Sequence, residues 1–488
     1  MEPITAPDIN FVTILPEAVL SLFAMALLLL NVFIPSPSEQ KGYLGYLSFI
    51  GIAVTFFFVI AGWSVSPGMQ SGFGGEVVQD RFALFFKGIF LIAAALTVLI
   101  TDRYMHREEC NHGELYPLIL LATAGMMLMA AGNDLMTIFL GLELLSIALY
   151  VLAGFNRADL KSNEAGLKYL LLGAFATSFL LYGMALTYGA TATTKVALIA
   201  ACIARHGTIT GNPLLICGML LMAVGFSFKI AAVPFHMWTP DVYEGAPTPM
   251  TAFMAVGPKA AGFAAFVRVF TIAFPALKPD WTPLLWGLAA LTMTVGNIIG
   301  LYQSNIKRML AYSAIAHAGY ALVGFTAGNT EGIAGILFYM LTYAFMNIGA
   351  FTVVILVGKK GEKNNNVGDY AGLAYKHPLL AACMAIFLFS LAGLPPTAGF
   401  VGKFYLFSSA IKGGFIWLAV IGVLNSVVSV YYYLRVIVFM YMKEPEEEFD
   451  WLTITPPIIL SLTLAVLGVL TPGVVPSYLL SLAQSAIQ

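Results

Sequence analysis

Hydrophobic residues run in blocks of about twenty along this chain, and polar residues gather in the short gaps between them. That block length is what an α-helix needs to cross a hydrocarbon core. It picks out apolar segments near 11–34, 43–63, 82–101, 115–132, 134–155, 164–190, 213–234, 248–273, 281–302, 309–327, 331–358, 379–411, 414–442 and 453–471. The pattern predicts an all-α polytopic membrane protein with about fourteen transmembrane helices. The gaps are short, and no soluble domain fits into them. The opening MEPITAPDIN is acidic and lacks the basic region of a cleaved signal peptide, so Phe11 to Ile34 is expected as a retained span.

Two segments cannot be continuous helices. In GFSFKIAAVPFHMW, residues 225–238, Pro234 removes a backbone donor near the end of its segment. In LAGLPPTAGFVGKF, Pro395 and Pro396 stand between Gly393 and Gly399 and break the helix there. Both regions read G-F-x-x-K, at 225–229 and 399–403, and they lie about five spans apart. Five is odd, so a second copy would be inserted upside down. Inverted repeats with broken helices at matching positions are a common plan of transporters.

Composition agrees with the pattern. Of 488 residues 59% are hydrophobic and only 10% charged, and the mean hydropathy is +0.86. A soluble domain carries roughly 25% charged residues. The net charge of -1 gives no basic surface for nucleic acid. Cys110, Cys202, Cys217 and Cys383 are scattered singly, so neither a disulfide framework nor a metal cofactor is expected in this chain. With the N-terminus outside, the inner loops hold Arg103, Arg107, Arg157, Lys161, Lys307, Arg308, Lys359, Lys360, Lys363, Lys376 and Lys443, against Lys195, Arg205, Lys278 and Lys412 outside. The positive-inside rule then puts both termini on the face away from the cytoplasm, and the acidic EPEEEFD at 444–450 weighs little in it.

A few charges are left that loops do not explain: Glu143, Lys168, Lys229, Lys259 and Lys403, with His317 as a polar companion. A charged side chain at mid-bilayer costs roughly 2.5–3.5 kcal/mol, so such residues are expected to face protein, water or one another. Glu143 lies about ten residues from either end of its segment, too deep to reach the surface. Lys229 and Lys403 lie beside the two breaks, and Lys259 follows Pro258 in mid-span. Snorkelling is the bland alternative for Lys229, and for Lys168, one turn after Glu164, an i,i+4 pair competes as well. His317 could be a neutral core histidine, but its depth suits a proton relay. His236, just past Pro234, is expected near the membrane edge as a possible relay. Ser146, Tyr312 and Ser313 could hold bridging waters, though spans use such residues for packing just as often.

Buried lysines and one buried carboxylate suggest a charge-state switch. Burial penalises the ammonium and a nearby carboxylate relieves the penalty. A change worth about 4 kcal/mol matches the roughly 2.3–4.6 kcal/mol needed to move a proton against 100–200 mV. A drive that pulls Glu143 from Lys229 could therefore push a proton uphill. The chain shows no phosphate-binding loop and no haem or flavin signature, so the drive is expected from an ion gradient or a partner complex.

The runs GLELLSIALYVLAGF, FKIAAVPFHMWTPDVYEGAPTPMTAFMAVGPKAAGF, SNIKRMLAYSAIAHAGY and LAGLPPTAGFVGKFYLF resemble the subunit N family of bacterial NADH-quinone oxidoreductase, respiratory complex I. DVYEGAPTPMTAFMAVGPKAAGF is the part most specific to that family among its antiporter-like sisters. The resemblance covers essentially the whole chain. It implies three N-terminal spans (1–114), two inverted five-helix repeats (spans four to eight, 115–273, and nine to thirteen, 274–442) broken at spans seven and twelve, and a last span in 443–488. It also implies a proton path through Glu143, Lys168, Lys229, Lys259, His317 and Lys403, in a subunit of the bacterial inner membrane. No cofactor is implied in this chain: NADH, FMN, iron-sulfur clusters and quinone would belong to partner subunits, and the neighbours would be other membrane-arm subunits. One sister has glutamate at the last position and another ends in a long lateral helix, whereas this chain has Lys403 and stops soon after span fourteen. The alternatives are a monovalent cation/proton antiporter subunit, which shares the Glu and Lys pattern, and a passive scaffold.

Overall fold

A computed structural model describes residues 9–34, 41–65, 68–205, 211–363, 365–445 and 454–487. The first eight residues of the acidic N-terminus, and residues 446–450 of the acidic 444–450 stretch, lie outside the described residues. Three helices come first: α1 (Leu15–Phe33), α2 (Tyr43–Val65) and α3 (Arg81–Arg107). A small antiparallel hairpin, β1 (Gln70–Gly72) and β2 (Val77–Gln79), joins the last two. Next follow α4 (Leu115–Ala131), α5 (Leu135–Ala153), α6 (Leu160–Thr191), α7 (Val196–Arg205), α8 (Pro213–Ile230), α9 (Trp238–Gly245) and α10 (Thr248–Ile272). The chain continues through α11 (Lys278–Leu301), α12 (Ile306–Ala327), α13 (Thr330–Val357), α14 (Leu373–Lys376), α15 (Pro378–Ala392), α16 (Ala398–Lys412) and α17 (Ile416–Met442). It ends with α18 (Pro456–Val474) and α19 (Ser477–Ser485).

Among the described residues, twelve helical stretches are long and apolar enough to cross a membrane. The expected segments 115–132 and 379–411 are present as the 17-residue α4 and as the pair α15 and α16, each too short to count alone. Five elements were not expected from the hydropathy window: the hairpin, α7, α9, α14 and α19. Each is too short to register in a window of twenty residues. The hairpin braces the start of α5, where Asn133 donates its backbone N–H to Glu76 and the Lys195 ammonium reaches the Gly74 carbonyl.

Helix starts are fixed by side-chain caps. Asp80, Asp134, Asp159, Asn212, Asn305 and Asn329 each accept from a backbone N–H of the turn they open. Close packing follows small residues: a methyl group at Gly125 would come within 2.7 Å of the Gly141 carbonyl, so α4 and α5 touch backbone to backbone. The helices α10, α12 and α13 are almost wholly enclosed by protein, while α1, α2, α6, α17 and α18 keep apolar faces on the periphery.

Both breaks are real. The helix α8 ends at Ile230 and Ala231 takes a left-handed conformation (φ 60°), and α15 ends at Ala392 with Gly393 left-handed (φ 85°). Pro234 and Pro396 each lie three residues further on. Registering the breaks on these residues corrects the G-F-x-x-K echo. Lys229 lies two residues before its left-handed turn and Lys403 ten residues after its own. On that register Lys403 corresponds to Asp241 and Lys229 to Leu391, so the shared motif is not a structural correspondence.

Candidate functional site

Three lysines sit inside the bundle among backbone and hydroxyl oxygens. On α8, next to the break, Lys229 donates to Ser146 Oγ of α5 at 2.9 Å, and Ser146 in turn bonds the Leu142 carbonyl. Its ammonium faces the Tyr169 ring at 5.9 Å, and Trp238 stacks on Tyr169 with ring centroids 4.5 Å apart. On α10, Lys259 donates to the Ala314 carbonyl of α12 at 2.8 Å and lies over the Tyr243 ring. On α16, Lys403 donates to the carbonyls of Leu391 and Ala392 at 2.9 and 3.0 Å and to Ser426 Oγ at 2.8 Å. Its three donors therefore meet three acceptors, two of them at the negative carboxyl end of the broken half-helix α15. All three lysines are buried.

His317, on α12 between these lysines, is buried and meets two phenols: Nδ1 contacts the Tyr339 hydroxyl and Nε2 the Tyr433 hydroxyl, the latter at 3.1 Å. The Tyr433 hydroxyl also bonds Ser313. Of the serine candidates, Ser146 and Ser313 thus join the lysine and histidine surroundings directly.

Glu143 differs from expectation. It lies on the partly exposed flank of α5 and forms no ion pair among the described residues, although it is near enough to Lys229 to attract it electrostatically. In this conformation Ser146, not the carboxylate, holds the lysine. Lys168 also departs from the buried set, being 39% exposed and paired with both Glu164 and Asp241 at 2.7 Å. The i,i+4 pair set beside its functional reading is therefore present. His236 lies half-buried in the linker between α8 and α9, beside the exposed Pro234, and Pro395 and Pro396 are likewise exposed at the second break.

Lys168 belongs to a charged cluster at one rim of the bundle. Arg308 bridges Asp241 at 2.8 Å and Glu244 at 2.9 Å, and Lys161 pairs with Glu244 at 3.1 Å. These residues line a cavity of about 150 Å³ between α6, α9 and α12. Burial alone would raise the Asp241 carboxyl, but the hydrogen bonds from Lys168 and Arg308 outweigh it and hold it below the ordinary carboxylate value. Asp241 and Glu244 were within the motif quoted above but drew no attention, because acids next to a helix end read as surface residues.

Other buried charges escaped the sequence. Lys87 and Glu17 pair at 2.7 Å between α3 and α1, both inside protein. Arg268 of α10 makes a two-pronged contact with Asp80, at 2.8 Å for each prong, and also donates to the Ala130 carbonyl. Lys307, counted above among the loop charges, is fully buried and pairs with Glu362, which also accepts from Tyr104 and Thr248. Among the described residues no cluster of three or more His, Cys, Asp or Glu side chains could hold a metal ion.

Comparisons with known proteins follow the same lines. Residues 132–429 match the family model described as NADH:quinone oxidoreductase/Mrp antiporter, TM, which sets the class as an antiporter-like membrane subunit. A relative from Trichlorobacter lovleyi, named NADH-quinone oxidoreductase subunit N, is 65% identical over 98% of this chain and 97% of its own length. A chain of respiratory complex I from Thermus thermophilus superposes with a TM-score of 0.81 at 34% identity, covering 96% of this chain and 98% of that one. A chain of the Mrp complex from Dietzia shares the fold, with a TM-score of 0.83 at 20% identity over 96% of this chain and 97% of its own. The chain belongs to the subunit N family of NADH-quinone oxidoreductase, the membrane subunits of respiratory complex I.

Proposed function

We propose that this subunit moves protons across the bacterial inner membrane while the redox chemistry proceeds on NADH, FMN, iron-sulfur clusters and quinone held by partner subunits. It adds no redox step of its own. The observation that carries the reading is the row of Lys229, Lys259, His317 and Lys403, all buried inside the helical bundle, the lysines held by oxygen acceptors and the histidine by two phenol hydroxyls. Buried charges at such depth are expensive and mark ion or proton routes.

On this reading both termini face away from the cytoplasm and the charged cavity at Lys168, Asp241, Glu244 and Arg308 lies on the cytoplasmic rim, in keeping with the lysine and arginine bias of the loops. The segments 115–273 and 274–442 act as two half-channels of opposite orientation. Protons reach Lys229 from the cytoplasmic rim under the influence of Glu143, pass through Lys259 and His317, and arrive at Lys403. Glu143, on the partly exposed flank of α5, is placed to respond to a neighbouring membrane-arm subunit. At the second break the Leu391 and Ala392 carbonyls that end α15 take the Lys403 ammonium, as the ends of discontinuous helices take cations in transporters.

The test is a Lys229→Met change in the assembled complex, with NADH-driven proton uptake in membrane vesicles followed beside quinone reduction. Both activities are expected to fall sharply while the complex still assembles. Full pumping and turnover would make Lys229 a structural charge and remove this reading.

A further inference from the structure

His317 is gripped by hydroxyls from two other helices. Tyr339 comes from α13 and Tyr433 from α17, and they occupy opposite nitrogens of one ring. The chain of contacts continues past Tyr433 to Ser313, one turn earlier on α12. Ser313 adjoins Ala314, whose carbonyl holds the Lys259 ammonium. At the other end the Tyr339 ring lies against Gly402, where a methyl group would come within 2.6 Å of the ring, and Gly402 is the residue before Lys403. The absence of a side chain at Gly402 is what lets this phenol reach in. A row of polar hydrogens therefore runs from Ser313 through Tyr433 and His317 to Tyr339, inside protein for its whole length, in the stretch between Lys259 and Lys403.

We propose that Tyr433 and Tyr339 are proton-carrying residues on either side of His317; this rests on the translocation reading above. A neutral imidazole has one donor and one acceptor nitrogen. With both nitrogens hydrogen-bonded to phenols, one phenol donates to the bare nitrogen and the other accepts from the N–H. That alternation lets a proton pass. A proton arriving on the Tyr433 oxygen from the Ser313 side releases the phenol's own proton to Nε2. The Nδ1 proton then moves to the Tyr339 oxygen, and the proton first carried by Tyr339 passes to Lys403 when that amine is neutral, which becomes the ammonium. Within the row from Tyr433 to Tyr339 three bonds to hydrogen form as three break, none of its groups keeps a net charge, and one proton has crossed. The ring is left in the other tautomer, and rotation of the hydroxyls and ring restores the start. The same atoms serve the reverse direction. A purely structural role for the phenols would need the hydrogen bonds only for packing, and the two readings separate by experiment.

Tyr433→Phe and Tyr339→Phe keep the rings and remove only the oxygens. In vesicles carrying the assembled complex, normalised to complex on native gels, each change is expected to slow NADH-driven proton uptake and quinone reduction by at least about a hundredfold, the lower end of what a positioned acid-base group supplies. The solvent deuterium isotope effect on turnover should rise in both. The double variant should be no slower than the slower single one, because either break already interrupts a path in series. Normal turnover with an unchanged isotope effect in either variant overturns the relay, and so do losses that simply add. Silent Phe variants beside an inactive Lys229→Met would overturn the relay and leave proton translocation standing. A silent Lys229→Met beside slow Phe variants would do the reverse for Lys229.

Discussion

Single residues gave up their roles unevenly to the sequence. Lys229, Lys259, Lys403 and His317 stood out because each interrupts an apolar run far from its ends, and each is buried among acceptors in the fold. Glu17, Lys87 and Arg268 did not, since a charge within a turn or two of a helix end can always be read as reaching for the surface. Burial there is decided by neighbouring helices, which a single segment does not reveal. Tyr339 and Tyr433 carried no signal at all, being two of 22 tyrosines. The Glu17 and Lys87 pair makes a prediction at this scale. Both side chains are inside protein at 2.7 Å, and removing one partner of such a pair typically costs about 3–5 kcal/mol, whereas an apolar pair of similar volume is tolerated. Lys87→Met or Glu17→Leu alone should therefore lower the heat stability and yield of the assembled complex, and the double change should recover most of the loss. Equal damage in all three would show that the pair makes no specific contribution.

At the level of helices, the window of twenty residues found every long span and placed most ends within a few residues, because hydrocarbon thickness leaves little choice of length. It also located the two breaks, since proline and glycine act on their own helix. It misjudged how the breaks relate to each other. The five-residue echo lay in sequence, but the left-handed turns at Ala231 and Gly393 define the geometric register, and φ is not visible in a motif. Helix contacts were equally hidden, for a glycine in an apolar run looks the same whether it faces lipid or a backbone. Gly125 is a clear case. A Gly125→Val change places branched carbons against the Gly141 carbonyl and the Leu145 backbone, and it should prevent α4 from seating on α5. The expected outcome is loss of the subunit from the complex on native gels, while the same change at Gly287, which has open space around it, should assemble normally.

Across the whole molecule, the N-terminal helices read in sequence as an appendage to the two five-span halves, yet α3 runs between them. At one end Asp80 holds Arg268 of α10, and at the other Arg107 donates to the carbonyls of Ile355 and Gly358 where α13 ends. Along its length α3 packs on both helices, one from each half. Because the two fastenings lie at opposite ends of a 27-residue helix, their contributions should add. Arg268→Gln and Arg107→Gln should each lower the temperature at which the assembled complex loses NADH-driven turnover, and the double variant should show the sum. A double variant no worse than one single would mean that the two ends fail as one unit. The arrangement also bears on how such a molecule can move. Carriers built from two halves commonly expose their cargo by tilting one half against the other, and a rod packed along both, pinned to one half at one membrane surface and to the other half at the opposite surface, works like a splint against that motion. What stays free on the scale of a proton is smaller: the turning of a hydroxyl, the swing of a lysine stem, the wetting and drying of a gap. A pump splinted in this way would do its gating without changing its outline.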